Sequence, residues 1–176
     1  VGITQEQNIM TKISYGIHRT EFGKYLILIT NQRNICFGAF VDGENTETLL
    51  NRAKKLWPEA TIVEDQKQTE PFVQKIFDPR ARDKLAFILT GTPFQKNVWE
   101  ALLGIREGEI TTYASIAQQI GRPTAVRAVA NAIANNNISV LIPCHRVVGS
   151  SGALCGYRWG IARKKALILN EQHCKE

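Results

Sequence analysis

Thr111-Thr-Tyr-Ala-Ser-Ile-Ala-Gln-Gln-Ile-Gly-Arg-Pro-Thr-Ala-Val-Arg-Ala-Val-Ala-Asn-Ala-Ile-Ala134 is the stretch on which the reading of the fold turns. Thr111 or Thr112 can cap a helix over residues 113–120, whose apolar face is Ile116, Ala117 and Ile120. Gly121-Arg-Pro123 then forms a turn. Thr124 caps a second predicted helix over residues 125–134. Helix, short glycine-containing turn, helix is the helix-turn-helix pattern, although an ordinary αα-hairpin shares it. Composition favours the former. The second helix carries Arg127 and otherwise small side chains (Ala125, Ala128, Ala130, Ala132, Ala134), so it can approach a nucleic-acid groove or another backbone closely.

Upstream, Thr92 caps and Pro93 opens a further helix with Phe94, Val98, Trp99 and Leu102 on one face and Gly104 and Gly108 after it. Before residue 90 the pattern changes. Tyr25–Thr30 and Ile35–Val41 are β-rich runs joined by the turn-like Asn31-Gln-Arg-Asn34, which predicts a hairpin. Residues 46–56 read as a helix, residues 70–77 as another with Pro71 in its first turn, and residues 84–90 as a short strand. Cys36 sits in an apolar strand and is expected in the core. The fold class expected is therefore two-part α+β. A mixed sheet-and-helix domain covers residues 1–88, and a mostly helical helix-turn-helix domain covers residues 89–176.

Downstream lies Pro143-Cys-His-Arg-Val147. Proline keeps Ile142 extended and ends the apolar run before Cys144. The positive neighbours His145 and Arg146 favour a thiolate, the nucleophilic form. A buried structural cysteine beside an exposed histidine is the alternative. Neighbours on an extended chain point to opposite faces, so a direct Cys144–His145 contact is awkward and a water would have to relay the proton. The carboxylate to orient His145 is expected to be Glu171, the one acidic residue between Glu109 and Glu176.

Charge narrows the partner. The net charge is +6, with 12 basic and 11 acidic residues up to residue 90, and 10 basic and 5 acidic from Gly91 onward. The window between Glu109 and Glu171 holds no acid and seven basic residues. Such a face favours a polyanion. No run of about 20 apolar residues offers a membrane span, and residues 1–10 are too polar for a secretory signal. The cysteines (Cys36, Cys144, Cys155, Cys174) form no C-x-x-C pair, which argues against structural zinc and for free thiols in a reducing compartment. The first residue is valine, which reads as a fragment or processed chain.

Several motifs occur together and in order: Gly91-Thr-x-Phe-Gln-x-x-Val-Trp99, Gly108-Glu-x-x-Thr-Tyr113, Ile116-Ala, Gly121-x-Pro123, Ala125-Val-Arg-Ala-Val129, Asn136, Ile142-Pro-Cys-His-Arg-Val147 and Gly152-x-Leu-x-Gly-Tyr157. In these the chain resembles the O6-alkylguanine-DNA alkyltransferases, or methylated-DNA–protein-cysteine methyltransferases. Gly156-Tyr-Arg-Trp-Gly160 followed by Ile161-Ala-Arg-Lys looks most like the C-terminal half of Ada-type proteins, larger regulators with an additional zinc-binding segment. The N-terminal half fits more weakly.

The resemblance implies an RNase H-like N-terminal domain and a C-terminal domain that repairs double-stranded DNA. Cys144 would take the alkyl group from O6-alkylguanine, and also from O4-methylthymine, in one irreversible transfer. His145 would accept the thiol proton through water, Glu171 would balance the imidazolium, and Tyr113 would donate a proton to the departing guanine. Arg127 would fill the stack left by the flipped nucleotide, with the helix in the minor groove. Asn136 would act as a hinge able to adopt a left-handed conformation. Val147, Tyr157 and Arg158 would line the base pocket, and Gln95, Ala114, Arg122 and Ser150 would touch DNA. No cofactor, metal or membrane is implied, and the protein is expected to be monomeric and cytoplasmic. Cys155 is expected to be non-catalytic and Cys174 exposed. A DNA-binding regulator without chemistry and a thiol hydrolase are the competing readings. The intact Pro143-Cys-His-Arg146 context argues against the first, and the adjacency of Cys144 and His145 against the second.

Overall fold

A computed structural model of the chain describes residues 2–4, 12–42, 45–154 and 156–174. The chain forms two compact units, Val1–Thr90 with Asn137–Leu141, and Gly91–Asn136 with Ile142–Glu176.

The first unit is built on β1 (Gly2–Thr4), β2 (Lys12–Thr20), β3 (Gly23–Thr30), β4 (Ile35–Val41), α1 (Thr46–Leu56), β5 (Thr61–Glu64), α2 (Gln66–Ile76) and β6 (Ala86–Ile88). The six strands form one sheet in the order β1-β6-β4-β3-β2-β5. β2, β3 and β4 are an antiparallel meander, and β5 and β6 add parallel strands against β2 and β4. Residues 25–41 supply much of the core. Tyr25–Ile29, Ile35 and Cys36 are fully buried, in keeping with their run of apolar and β-branched side chains.

α2 starts four residues earlier than the periodicity predicts. Asp65 caps it by accepting from the Gln68 amide, so Pro71 falls in mid-helix instead of the first turn. The cap is strong enough to start a helix whose first turn is polar. Gly16 of β2 is required where this helix crosses the sheet, because a Cβ there would lie 2.0 Å from Thr69 Oγ1. Segment 137–141 joins the same sheet. Gly38 N–H donates to Asn137 O, and Ser139 N–H donates to Gly38 O, each at 2.8 Å.

The second unit holds α3 (Pro93–Leu103), β7 (Thr111–Thr112), α4 (Tyr113–Gln119), α5 (Val126–Ala134), a 3-10 turn at Cys144–Arg146, β8 (Val147–Val148) and α6 (Ile161–His173). α3 opens with a capping box in which Thr92 and Gln95 bond reciprocally. Thr112 caps α4. Gly121, at φ +76, makes the turn that releases the chain toward α5. α5 begins one residue later than predicted. The Ala125 amide bonds Arg122 O within the turn, so Ala125 occupies the cap position and Thr124 makes no cap. α5 buries Val129, Ala132 and Ile133, and the Trp99 indole N–H of α3 bonds Ala132 O at 2.9 Å.

Among the described residues, no helix is long and apolar enough to cross a membrane.

Candidate functional site

Cys144 is held by three local devices. Pro143, at φ −81 and ψ 62, forms an inverse γ-turn in which the Cys144 amide bonds Ile142 O at 2.8 Å. The 3-10 turn follows at once, and β8 then pairs in parallel with β7, tying Val147 to Thr111. In a turn with three residues per revolution, Cys144, His145 and Arg146 fan out in three directions. The extended backbone expected at Cys144–His145 is therefore replaced by a tight turn.

The thiol is buried and accepts from Asn136 Nδ2 at 3.2 Å. The same amide donates to Ile142 O at 2.9 Å. Asn136 thus links the exit of α5 to the cysteine through its side chain. Its bond to the Ile142 carbonyl is of the backbone-bonding kind a hinge can use, and the left-handed conformation that asparagine tolerates is not adopted here. That conformation falls instead on Val140, at φ +73, where Leu141 N–H closes a γ-turn onto Ser139 O. For a β-branched residue this is a strained geometry.

Burial pushes the Cys144 thiol up, while the Asn136 hydrogen bond and the charge of Lys164 pull it down without cancelling that effect. The cation acting on the thiol is therefore Lys164, not the adjacent Arg146. Lys164 is fully buried on α6, its Nζ 5.8 Å from the Tyr113 ring centre and 6.0 Å from that of Tyr157.

The Arg146 guanidinium is committed to Glu171. Nε donates to Oε2 and Nη2 to Oε1, both at 2.9 Å, while Nη1 bonds Ile105 O. His145 Nε2 lies 2.7 Å from Glu171 Oε1. Burial raises the Glu171 carboxyl, but the hydrogen bonds and charges of His145 and Arg146 outweigh it and hold the group at about 2.

Cys144, Asn136, Tyr113, Tyr157 and Arg158 line one cavity of about 30 Å3. That is room for a water or two. The Tyr113 hydroxyl donates to Gly156 O over 3.4 Å. Other expected residues lie elsewhere. Val147 is buried in β8, Gln95 is engaged in its capping box, Ala114 is the second residue of α4, and Arg122 and Ser150 are exposed in turns. Arg127 is exposed on α5 and, with Thr124, Ala125, Ala128 and Asn131, borders an open groove. Cys174 is exposed, and Cys155 lies outside the described residues.

Sequence reasoning missed Arg146 as the partner of Glu171, and it missed Lys164 and Trp159. Lys164 left a signal, since it stands seven residues before Glu171 on the face that also buries Leu167 and Ile168. Among the described residues, no group of three His, Cys, Asp or Glu side chains could hold a metal ion.

This is a helix-turn-helix unit with a cysteine at a cavity wall, and comparison with known proteins gives that class a family. The model of the 6-O-methylguanine DNA methyltransferase DNA-binding domain matches residues 93–173. The inducible methylated-DNA–protein-cysteine methyltransferase of Bacillus subtilis is 38% identical over 135 residues, which cover 73% of this chain and 75% of that protein. The bifunctional transcriptional activator and DNA repair enzyme Ada of Escherichia coli is 36% identical over 93% of this chain but only 47% of its own length. The crystal structure of the Mycobacterium tuberculosis O6-methylguanine methyltransferase superposes with a TM-score of 0.74 at 30% identity, covering 92% of this chain and 93% of that one. The chain belongs to the methylated-DNA–protein-cysteine methyltransferase family, and its mixed sheet with helices matches that known structure. It spans about half the length of several of its curated relatives, Ada among them.

Proposed function

We propose that this chain repairs double-stranded DNA by direct reversal, moving the alkyl group of O6-alkylguanine, and also of O4-methylthymine, irreversibly onto Cys144. One observation carries the reading. The buried Cys144 sulfur lines a cavity shared with Tyr113 and Tyr157, and Asn136, at the exit of the second helix of a helix-turn-helix, donates a hydrogen bond to it.

Sγ attacks the alkyl carbon, an S–C bond forms, and the C–O bond breaks. The thiol proton passes through water to His145, whose positive charge Glu171 balances. Tyr113 protonates the departing guanine and is reprotonated from the His145 side, so no net charge accumulates. The thioether has no good leaving group toward water, and thiol–disulfide exchange cannot reset it. Each molecule therefore acts once, with no cofactor.

The target base must leave the duplex to reach Sγ. Arg127 takes its place in the stack, with α5 in the minor groove, where readout is degenerate and sequence preference low. Ala114, Arg122, Gln95 and Ser150 add DNA contacts, and Val147, Tyr157 and Arg158 receive the base. A cavity of about 30 Å3 requires the wall formed by residues 156–159 to yield first. Asn136 then serves as a side-chain latch between recognition helix and thiol.

We further read residues 1–88 as an RNase H-like domain and residues 89–176 as the alkyltransferase domain, apart from segment 137–141, which packs with the first unit. The antiparallel β2–β3–β4 meander with β5 parallel beside β2 supports the former. The protein would act as a monomer in the cytoplasm.

The test is incubation with duplex DNA bearing O6-methylguanine, followed by digestion and peptide mass measurement. The Cys144 peptide gains one methylene mass, stoichiometric with lesion loss. An unmodified Cys144 peptide with the lesion intact would overturn the reading.

A further inference from the structure

His145, Arg146 and Glu171 form a three-member buried cluster, with side-chain exposures of 0%, 8% and 6%. The carboxylate receives three contacts: two from the guanidinium fork and one from the imidazole. Alone against His145, a buried carboxylate would stabilise the imidazolium and raise the histidine pKa. Here the carboxylate is shared with the guanidinium fork, which weakens its pull on the imidazolium while leaving it able to offset a transient charge during transfer. Protonating His145 would leave the cluster with a net positive charge in a buried site, which is unfavourable. The other charged and titratable groups carried by the elements around the cluster are Arg163, Lys164, Lys165 and His173 on α6, Cys144 on the 3-10 turn, and Arg106, Glu107 and Glu109 on the connection after Ile105, and of these Lys164 and Cys144 are buried. Lys164 is fully buried, with its Nζ over the Tyr113 and Tyr157 rings.

Because Glu171 is held as an anion, Nε2 must be the nitrogen that donates to it, which leaves Nδ1 as the basic nitrogen. We propose that Arg146 is a positioning residue of the transfer site: by occupying both oxygens of Glu171 it keeps His145 neutral and in the Nε2–H form, so that Nδ1 can receive the thiol proton. The proposal rests on Cys144 being the alkyl acceptor. It assigns Arg146 a task distinct from attracting DNA or stabilising the thiolate.

The experiment follows the 15N resonances of the histidine rings against pH in the intact chain, with His145 assigned through H145Q. In the wild type, His145 is singly protonated on Nε2 at neutral pH. In R146M its pKa rises by roughly 1–3 units. The pH profile of methyl transfer from O6-methylguanine duplex moves to alkaline pH by the same amount, so activity lost at neutral pH returns at high pH. R146K, which keeps the charge but not the fork, shifts both by less. A purely structural arginine would lower activity at every pH without moving the profile.

Doubly protonated His145 in the resting wild type would overturn the proposal. So would an unshifted or lowered His145 pKa in a folded R146M or R146K. The wild-type measurement decides the matter even where neither variant folds. A wild type that takes no methyl group at any pH refutes Cys144 as acceptor, an outcome separate from the state of His145.

Discussion

At the scale of single residues, Asn136 has the most to do per atom, since one amide group serves both the sulfur and the Ile142 carbonyl. Asn136→Ala removes a donor that lowers the thiol pKa. Each unit of upward shift removes about tenfold of the thiolate. Alkylation of Cys144 by iodoacetamide at neutral pH is therefore expected to slow, and Tm to fall by about 2–4 °C for each kcal/mol lost with the two hydrogen bonds. Glu171 makes a prediction of a different kind. Its folded value of about 2, against an ordinary 4.5, means its stabilisation is fully present above pH 4.5 and is lost as pH falls through 2. Urea midpoints measured across that window should fall for the wild type, and E171Q should flatten its share of the fall. The pairing of His145 with Glu171 is legible in the sequence because so few carboxylates compete for it. The part played by Arg146 is not. Adjacency to Cys144 suggests help for the thiol, whereas a 3-10 turn aims neighbouring side chains apart.

At the scale of elements, α5 has two faces with separate duties. Val129, Ala132 and Ile133 face inward, while Arg127, Ala128 and Asn131 border the open groove. Arg127 therefore reaches outward from a helix anchored by its other side, including the bond from Trp99. If it fills the vacated stack, Arg127→Ala should slow transfer from duplex O6-methylguanine much more than transfer from free O6-benzylguanine. The ratio of the two losses should be about tenfold or more, since unstacking a base costs a few kcal/mol. Equal losses in single-turnover assays would remove the finger role. α3 and α4 are legible because threonine caps and a first-position proline announce them. The start of α2 is less so, because Asp65 begins a polar first turn that apolar periodicity overlooks.

At the scale of the whole molecule, the chain does not divide as simply as its sequence pattern suggests. A cut after Thr90 separates the two patterns, but residues 137–141 belong structurally to the first unit. Asn137 illustrates the stitching. Its side-chain amide donates to Thr90 O, its side-chain oxygen accepts from Arg52, and its carbonyl accepts from Gly38 N–H. The Tyr25 hydroxyl adds a buried bond to Ser139 O. No sequence signal marks these five residues, because the last of three asparagines in series and a short apolar run look like an ordinary lead-in to the cysteine. The consequence can be tested by expressing residues 1–90 and 91–176 separately. The first piece lacks the segment that satisfies Gly38, Tyr25 and Arg52. The second carries Ile138, Val140 and Leu141, at most 4% exposed in the whole chain, without the sheet unit to which they belong. Burial of each such side chain is worth about 1.5–3 kcal/mol, a large share of a typical domain's net stability. Neither piece is expected to show the cooperative thermal transition of the full chain, and the second should bind a dye for exposed apolar surface. A sharp, dye-silent melt of residues 91–176 alone would show that the five-residue segment is dispensable to the thiol-bearing unit.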